Sequence, residues 1–184
     1  FVNDDYYGLL NIRTETNAEG ISRLVDVPLE DLTLMEVDSD NGNLEYREGD
    51  EELANRLINA LKTDDAFTLI ELVDLNSFID YIVFEDFVGN SDWPQNNCKA
   101  YSKNGEPFKF ILFDLDRAAD RAGHFLLPEM ESTNDDLALI YQSLIKLPEF
   151  VERLEKRQAQ IFELAREEMY IDITDAYEQR ILND

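Results

Sequence analysis

The stretch DWPQNNCKAYSKNGEPFKFILFDLD, residues 92–116, decides how this chain folds. Two runs with strand character, Cys98 to Ser102 and Phe108 to Phe113, flank Lys103, Asn104, Gly105 and Glu106, and Asn-Gly between such runs is a strong hairpin signal. A turn centred on Asn104 and Gly105 sets Leu112 across from Asn97 and Asp114 across from Gln95. The return strand therefore brings Asp114 back beside the loop that opens at Asp92. A carboxylate at Asp92, an amide five residues on at Asn97, and a second carboxylate after a strand form a set that phosphoryl transfer uses. In that chemistry one Asp orients the hydroxyl nucleophile, an Asn holds Mg²⁺, and a later Asp bridges Mg²⁺ to the nucleotide phosphates. Catalysis there rests on positioning and charge neutralisation, which an acidic metal clamp supplies.

Within this set Asp92 is the candidate catalytic group, and Asn97 and Asp114 are the candidate ligands of Mg²⁺ and ATP. Asp114 and Asp116 point to opposite faces if the strand continues, so Asp114 is the favoured metal ligand. Asp116 then binds a second ion, receives Arg117, or caps the next turn. Asn96 is a reserve amide should the loop be one residue out of register. Trp93 and Pro94 pack and stiffen the loop. A plain structural account also exists, with Asp92 a turn carboxylate, Asn97 a strand-edge cap, and Asp114 and Asp116 solvated strand-end groups. The residues alone leave the two readings open.

Composition narrows the alternatives. The 184 residues suffice for one sizeable core, and no Pro/Gly/Ser-rich linker divides them. Sixteen basic and forty-one acidic residues give a net charge of −25, which repels nucleic-acid phosphates and anionic membrane surfaces. The apolar runs, such as Tyr81 to Phe84 and Phe110 to Phe113, fall far short of the roughly 20 residues a spanning helix needs. Cys98 is the single cysteine, so no internal disulfide forms. His124 is the single histidine, which leaves a Ser-His-Asp triad without a nucleophile elbow and a zinc site without ligands. No G-x-G-x-x-G or G-x-x-x-x-G-K-[ST] phosphate loop is present.

Along the chain, Phe1-Val2 and Tyr6 to Ile12 read as a second hairpin around Asn3, Asp4 and Asp5. Leu32 to Val37 adds a strand. Asp38 to Asn43 gathers acidic and turn residues in the manner of a calcium loop, but Gly42 and Asn43 spoil the EF-hand spacing and a plain loop is expected. Leu53, Leu57, Ile58 and Leu61 recur at helical spacing from Asp50 to Leu61. A second helix is expected from Asn76 to Val88, capped by Asp74 or Asn76, with Phe78, Ile79, Ile82, Val83 and Phe87 inward and Gly89 ending it. Arg117 to Pro128 reads as an irregular lid or substrate-facing loop. Helices follow at Asp135 to Lys146, Pro148 to Tyr170 and Thr174 to Leu182, with Leu137, Leu139, Ile140, Leu144, Phe150, Leu154, Ile161 and Leu164 forming apolar stripes.

Four segments together resemble the CotH kinase-like family, named for spore coat protein H. Phe1 to Leu9 is similar to the family's "vNGeYyGlY" hairpin and Asn76 to Tyr81 to its "ldnfidYl" helix. Gly89 to Asn97 is similar to "gNxDWpxnN" and Phe110 to Asp116 to "wilyDlD". The resemblance implies an α+β, atypical protein-kinase fold that uses ATP and Mg²⁺ to phosphorylate Ser or Thr of protein substrates, which in spore formers are coat proteins. It implies Asp92 as the catalytic Asp, with Asn97, Asp114 and neighbouring Asp116 as metal ligands. A secreted, cell-surface or spore-coat setting also follows from it.

On that reading 1–184 is one domain. Residues 1–37 are a remnant of the N-terminal lobe, 50–130 the catalytic core and 131–184 a helical C-terminal part. The family's upstream β-rich region, with an Arg-Gly-Asn-Ser-like segment and nucleotide-holding basic residues, has no counterpart here, so this piece is expected to be inactive by itself. The family's Glu after the hairpin falls at Thr14 while the acid stands at Glu15, and Leu10 replaces the usual aromatic. A rival reading keeps the fold and drops the catalysis, giving a surface adhesin or spore-coat scaffold. A secreted metal-dependent hydrolase is a third, weakened by the shortage of His ligands.

Overall fold

Leu32–Val37 forms β1, a β-branched and aliphatic strand buried along nearly its whole length. The computed structural model describes residues 15–120 and 126–164. Before β1 comes the short helix α1 (Ala18–Leu24), whose first turn is closed by the Asn17 side chain accepting from the Gly20 N–H. Leu32 and Leu34 pack with Ala18 and Ile21 on one face of β1, whereas Met35 and Val37 enter the main core on the other. A strand sandwiched in this way shows a continuous apolar run rather than an alternation.

β2 (Leu44–Glu48) returns antiparallel along β1. Gly49 then turns the chain into α2 (Glu51–Lys62) with φ +92°, and a Cβ there would lie 2.0 Å from the Leu32 carbonyl oxygen, so only glycine fits. Asp50 caps α2 by accepting from the Leu53 N–H, and Leu53, Leu57 and Leu61 face inward as their spacing predicts. The short helix α3 (Ala66–Leu72) follows. Between β1 and β2, Asp38 to Asn43 is a plain turn in which Asp38 accepts from the Asp40 N–H and Asn41 from the Asn43 N–H.

α4 (Leu75–Val88) occupies the centre. Asp74 is its cap, accepting from the N–H groups of Asn76 and Ser77, and Gly89 ends it in the left-handed conformation at φ 61°. Phe78, Ile79, Tyr81, Ile82 and Val83 are buried on several faces, as expected of a helix surrounded by other elements, while Phe87 is only half-buried. The start of α4 is pinned to the sheet: the Asp74 N–H donates to the Phe108 carbonyl, and the Phe110 N–H donates to Ser77 Oγ at 3.0 Å.

β3 (Lys99–Lys103) and β4 (Lys109–Ile111) complete a four-stranded antiparallel sheet in the order β2-β1-β3-β4. Asn104 and Gly105 take φ values of 54° and 74°, as a hairpin turn of this type requires. The register differs by one residue from the expectation. Lys99 faces Ile111 and Ala100 faces Phe110: the Phe108 backbone bonds to the Leu72 carbonyl and the Asp74 N–H instead of to β3, and the return strand takes up an extra residue.

Helices α5 (Leu127–Met130), α6 (Asp136–Leu144) and α7 (Pro148–Leu164) close the main core. α7 lies along α4, with Phe150 at 6.3 Å from Phe78 and Phe162 edge-on to Phe87 at 6.2 Å. Leu164, expected inward, is 59 % exposed. The end of the expected lid is also corrected: Leu126 and Leu127 are buried, and Pro128 lies within α5. Asp86 of α4 accepts from the N–H groups of Leu126 and Leu127 and fixes this segment to the core. The expected N-terminal hairpin, the helix at Thr174 to Leu182, the end of the helix reaching Tyr170, and His124 all lie outside the described residues.

Phe78 joins sheet and helices, with the Phe110 ring 5.0 Å away and full burial. Phe78→Ala is expected to cost about 3–5 kcal/mol in urea unfolding, and Phe67→Ala, at a 79 % exposed position, less than about 0.5 kcal/mol. Equal losses at the two sites would contradict this packing.

Candidate functional site

The loop from Asn90 to Asn97 leaves the C-terminus of α4 and is held from beneath. Asn90 is fully buried; its Nδ2 donates to Glu85 Oε2 at 2.9 Å, and its Oδ1 accepts from the Asp92 N–H at 3.2 Å. The Asn96 N–H closes a turn on the Asp92 carbonyl at 3.0 Å. Trp93 is 2 % exposed and meets Tyr81 edge-on at 6.3 Å, in keeping with the packing role expected of it. The Tyr81 hydroxyl donates to the Asn97 carbonyl at 3.3 Å. The loop thus rests on the last two turns of α4.

At the far end of the loop Asn97 takes φ 57°, a left-handed conformation that Asn tolerates better than most residues. Its Nδ2 donates to the backbone carbonyl of Asp114 at 3.2 Å. The hairpin therefore returns Asp114 beside Asn97, as the Asn-Gly turn implies, despite the shifted register. β4 ends at Ile111 and Asp114 has φ 52°, so the alternation argument separating Asp114 from Asp116 does not hold here.

Arg117 pairs with Asp92 and Asp120. The guanidinium Nη1 lies 3.4 Å from Asp92 Oδ1, and Nε donates to Asp120 Oδ2 at 2.9 Å. Asp120 accepts a further bond from Ser91 Oγ at 2.9 Å. Hydrogen bonding to Asp120 raises the Arg117 pKa above its ordinary value, with the charges of Asp92, Asp120 and Asp116 adding to it. Receiving Arg117 was one of three roles open to Asp116; the close partners of Arg117 are Asp92 and Asp120, and Asp116 acts on it only through charge.

A second cation lies under the site. Lys99 Nζ donates to the Thr16 carbonyl at 2.9 Å, sits 3.1 Å from Glu36 Oε1, and stands 4.7 Å from the centre of the Phe113 ring, next to Asp114. The sequence reading passed over Lys99 and Glu85, and held Asn90 only as a position of the family-like motif. The signal for Glu85 and Asp86 was the helix period itself, which carries two acids into inward positions of an otherwise apolar helix.

Oxygen atoms of Asn97 and Asp114 are the groups that could hold a divalent cation here. With Asn97 Nδ2 committed to the Asp114 carbonyl, its Oδ1 is the atom left for a cation, and the Asp114 side chain is exposed. Among the described residues no three His, Cys, Asp or Glu side chains gather as a metal cage.

Glu85 is the most perturbed carboxyl of this neighbourhood. Burial pushes its pKa from 4.5 up to about 7, partly offset by the bond from Asn90. Its Oε1 is buried without a partner.

The family model described as CotH kinase protein matches residues 1–183. No curated protein and no solved structure matches the chain.

The raised Glu85 pKa has a signed consequence. Between about pH 4.5 and 7 the folded chain keeps a proton on Glu85 that the unfolded chain has released, so stability falls as pH rises through this window. Glu85→Gln removes that slope. Its stability relative to the parent should rise by about 2–3 kcal/mol between pH 5 and pH 8 in urea titrations. A difference independent of pH would show that Glu85 titrates normally.

Proposed function

The chain belongs to the CotH kinase protein family, and on that premise we propose that it carries the core of an atypical protein kinase, transferring the γ-phosphate of ATP to Ser or Thr hydroxyls of protein substrates. One observation carries the reading. The side chain of Asn97 holds the backbone of Asp114, so the loop bearing Asp92 and the strand end bearing the second carboxylate meet at one place.

In the proposed reaction the substrate hydroxyl lies against Asp92. Its oxygen forms a bond to the γ-phosphorus, the bond from that phosphorus to the β–γ bridging oxygen breaks, and the hydroxyl proton passes to the Asp92 carboxylate. Arg117, 3.4 Å from Asp92 and 51 % exposed, restrains that carboxylate and offers positive charge at the rim. Asn97 Oδ1 and the Asp114 carboxylate, with Asp116 as a further candidate, would hold Mg²⁺, which when bound would neutralise phosphate charge. A chain of net charge −25 needs such compensation to accept a polyphosphate.

The test is γ-phosphate transfer to a Ser/Thr-rich acceptor protein by the full-length protein, together with calorimetry of ATP in the presence and absence of Mg²⁺. Asp92→Asn should lower kcat by about 10²–10⁴-fold with nucleotide binding retained. Asp114→Ala should abolish the Mg²⁺-dependent part of ATP binding. If the parent neither binds ATP with metal nor transfers phosphate, the kinase reading fails and a binding module of the same fold takes its place.

A further inference from the structure

We propose that Glu85 and Asn90 are positioning residues that place Asp92 through a buried relay from α4. The proposal rests on reading Asp92 as the group that receives the hydroxyl proton. The relay has two bonds: Asn90 Nδ2 donates to Glu85 Oε2 at 2.9 Å, and the Asp92 N–H donates to Asn90 Oδ1 at 3.2 Å. An amide that donates at one end and accepts at the other has its plane fixed by both, so Asn90 transmits the placement of Glu85 to the backbone of Asp92.

Three features favour a functional role over simple loop closure. Glu85 and Asn90 are each 0 % exposed, so the relay is shielded from competing water. Glu85 keeps Oε1 without a partner in the interior, a costly arrangement that an apolar residue at this helical position would avoid. The Asp92 N–H takes its bond from Asn90 rather than from a strand or helix ladder, so this side chain governs the placement of the residue. With Arg117 holding the carboxylate from outside, Asp92 is fixed at both its main chain and its side chain. Proton acceptance by a positioned group is sensitive to misplacement of about 1 Å, which is the error a lost relay would admit.

Protonation supplies a way to observe the relay. Burial lifts the Glu85 pKa to about 7, while Tyr81 one turn earlier and Cys98 ahead of β3, on both of which the Glu85 charge acts, are pushed well above their ordinary values by burial. Asp86, the next residue, is also raised by burial, so a step near pH 7 is assigned to Glu85 by its loss in Glu85→Gln.

The experiment follows the Asn90 side-chain amide and the Asp92 main-chain amide by ¹⁵N NMR against pH, in the parent chain and in Glu85→Gln. Both resonances should move with one midpoint near 7 in the parent and stay fixed in the variant. Kinetics supply the second arm: Glu85→Ala and Asn90→Ala should each lower kcat about tenfold with KM for ATP within about twofold, and Glu85→Gln should restore most of the rate. Asp86→Asn, which weakens the fixing of α5 without touching the relay, is the matched control and should keep kcat.

An Asp92 amide indifferent to Glu85 protonation overturns the proposal, as does an unchanged kcat in both alanine variants. If Glu85→Ala does not fold, the Glu85→Gln spectra and Asn90→Ala decide. A parent without phosphoryl transfer would sink the kinase reading, while the spectra would still accept or reject the relay.

Discussion

The bond from Asn97 Nδ2 to the carbonyl of Asp114 joins segments seventeen residues apart, and the rest of the site depends on it. It can form only because the β3–β4 hairpin folds back over its own length, and because α4 fixes both ends of the arrangement. At its start, Asp74 and Ser77 tie α4 to Phe108 and Phe110 of the hairpin. At its end, Gly89, Glu85 and Tyr81 launch and support the loop. One helix thus sets the distance between a loop and a strand end, and its aromatic packing against the sheet and α7 keeps that distance fixed.

Charge is arranged with comparable economy. The chain carries 41 acidic and 16 basic residues, yet Arg117 and Lys99 both stand beside the segments that would meet phosphate. Arg117 is on the rim, shared by Asp92 and Asp120. Lys99 lies deeper, 9 % exposed, and is committed to Thr16, Glu36 and the face of Phe113. A surface ion pair contributes little to stability, so the value of Arg117 lies in local potential rather than in folding.

Much of this was legible in the residues. The 3.6-residue period and its punctuation announced α2, α4 and most of α7, and Asn104-Gly105 announced the hairpin. α1 and α3 escaped because each spans seven residues, too short for a periodic signal. β2 escaped because Leu44–Glu48 is charged on its exposed face and reads as loop. The hairpin register slipped by one because the Phe108 backbone pairs with the α3–α4 connection rather than with β3, a long-range contact that a strand count does not contain. Asp92, Asn97 and Asp114 were visible as residue types at a spacing. Glu85 was not, and Asn90 was visible only as a position of the family-like motif, since their roles come from burial and from two bonds that no linear pattern specifies.

The most direct measurement replaces Mg²⁺ by paramagnetic Mn²⁺ and titrates it, with ATP, into ¹⁵N-labelled full-length protein. The account predicts that the amides of Asn97, Phe113 and Asp114 broaden first and together, and only when nucleotide is present. Broadening that begins elsewhere, as at Asp38 and Asp40, and leaves Asn97 and Asp114 sharp would contradict it.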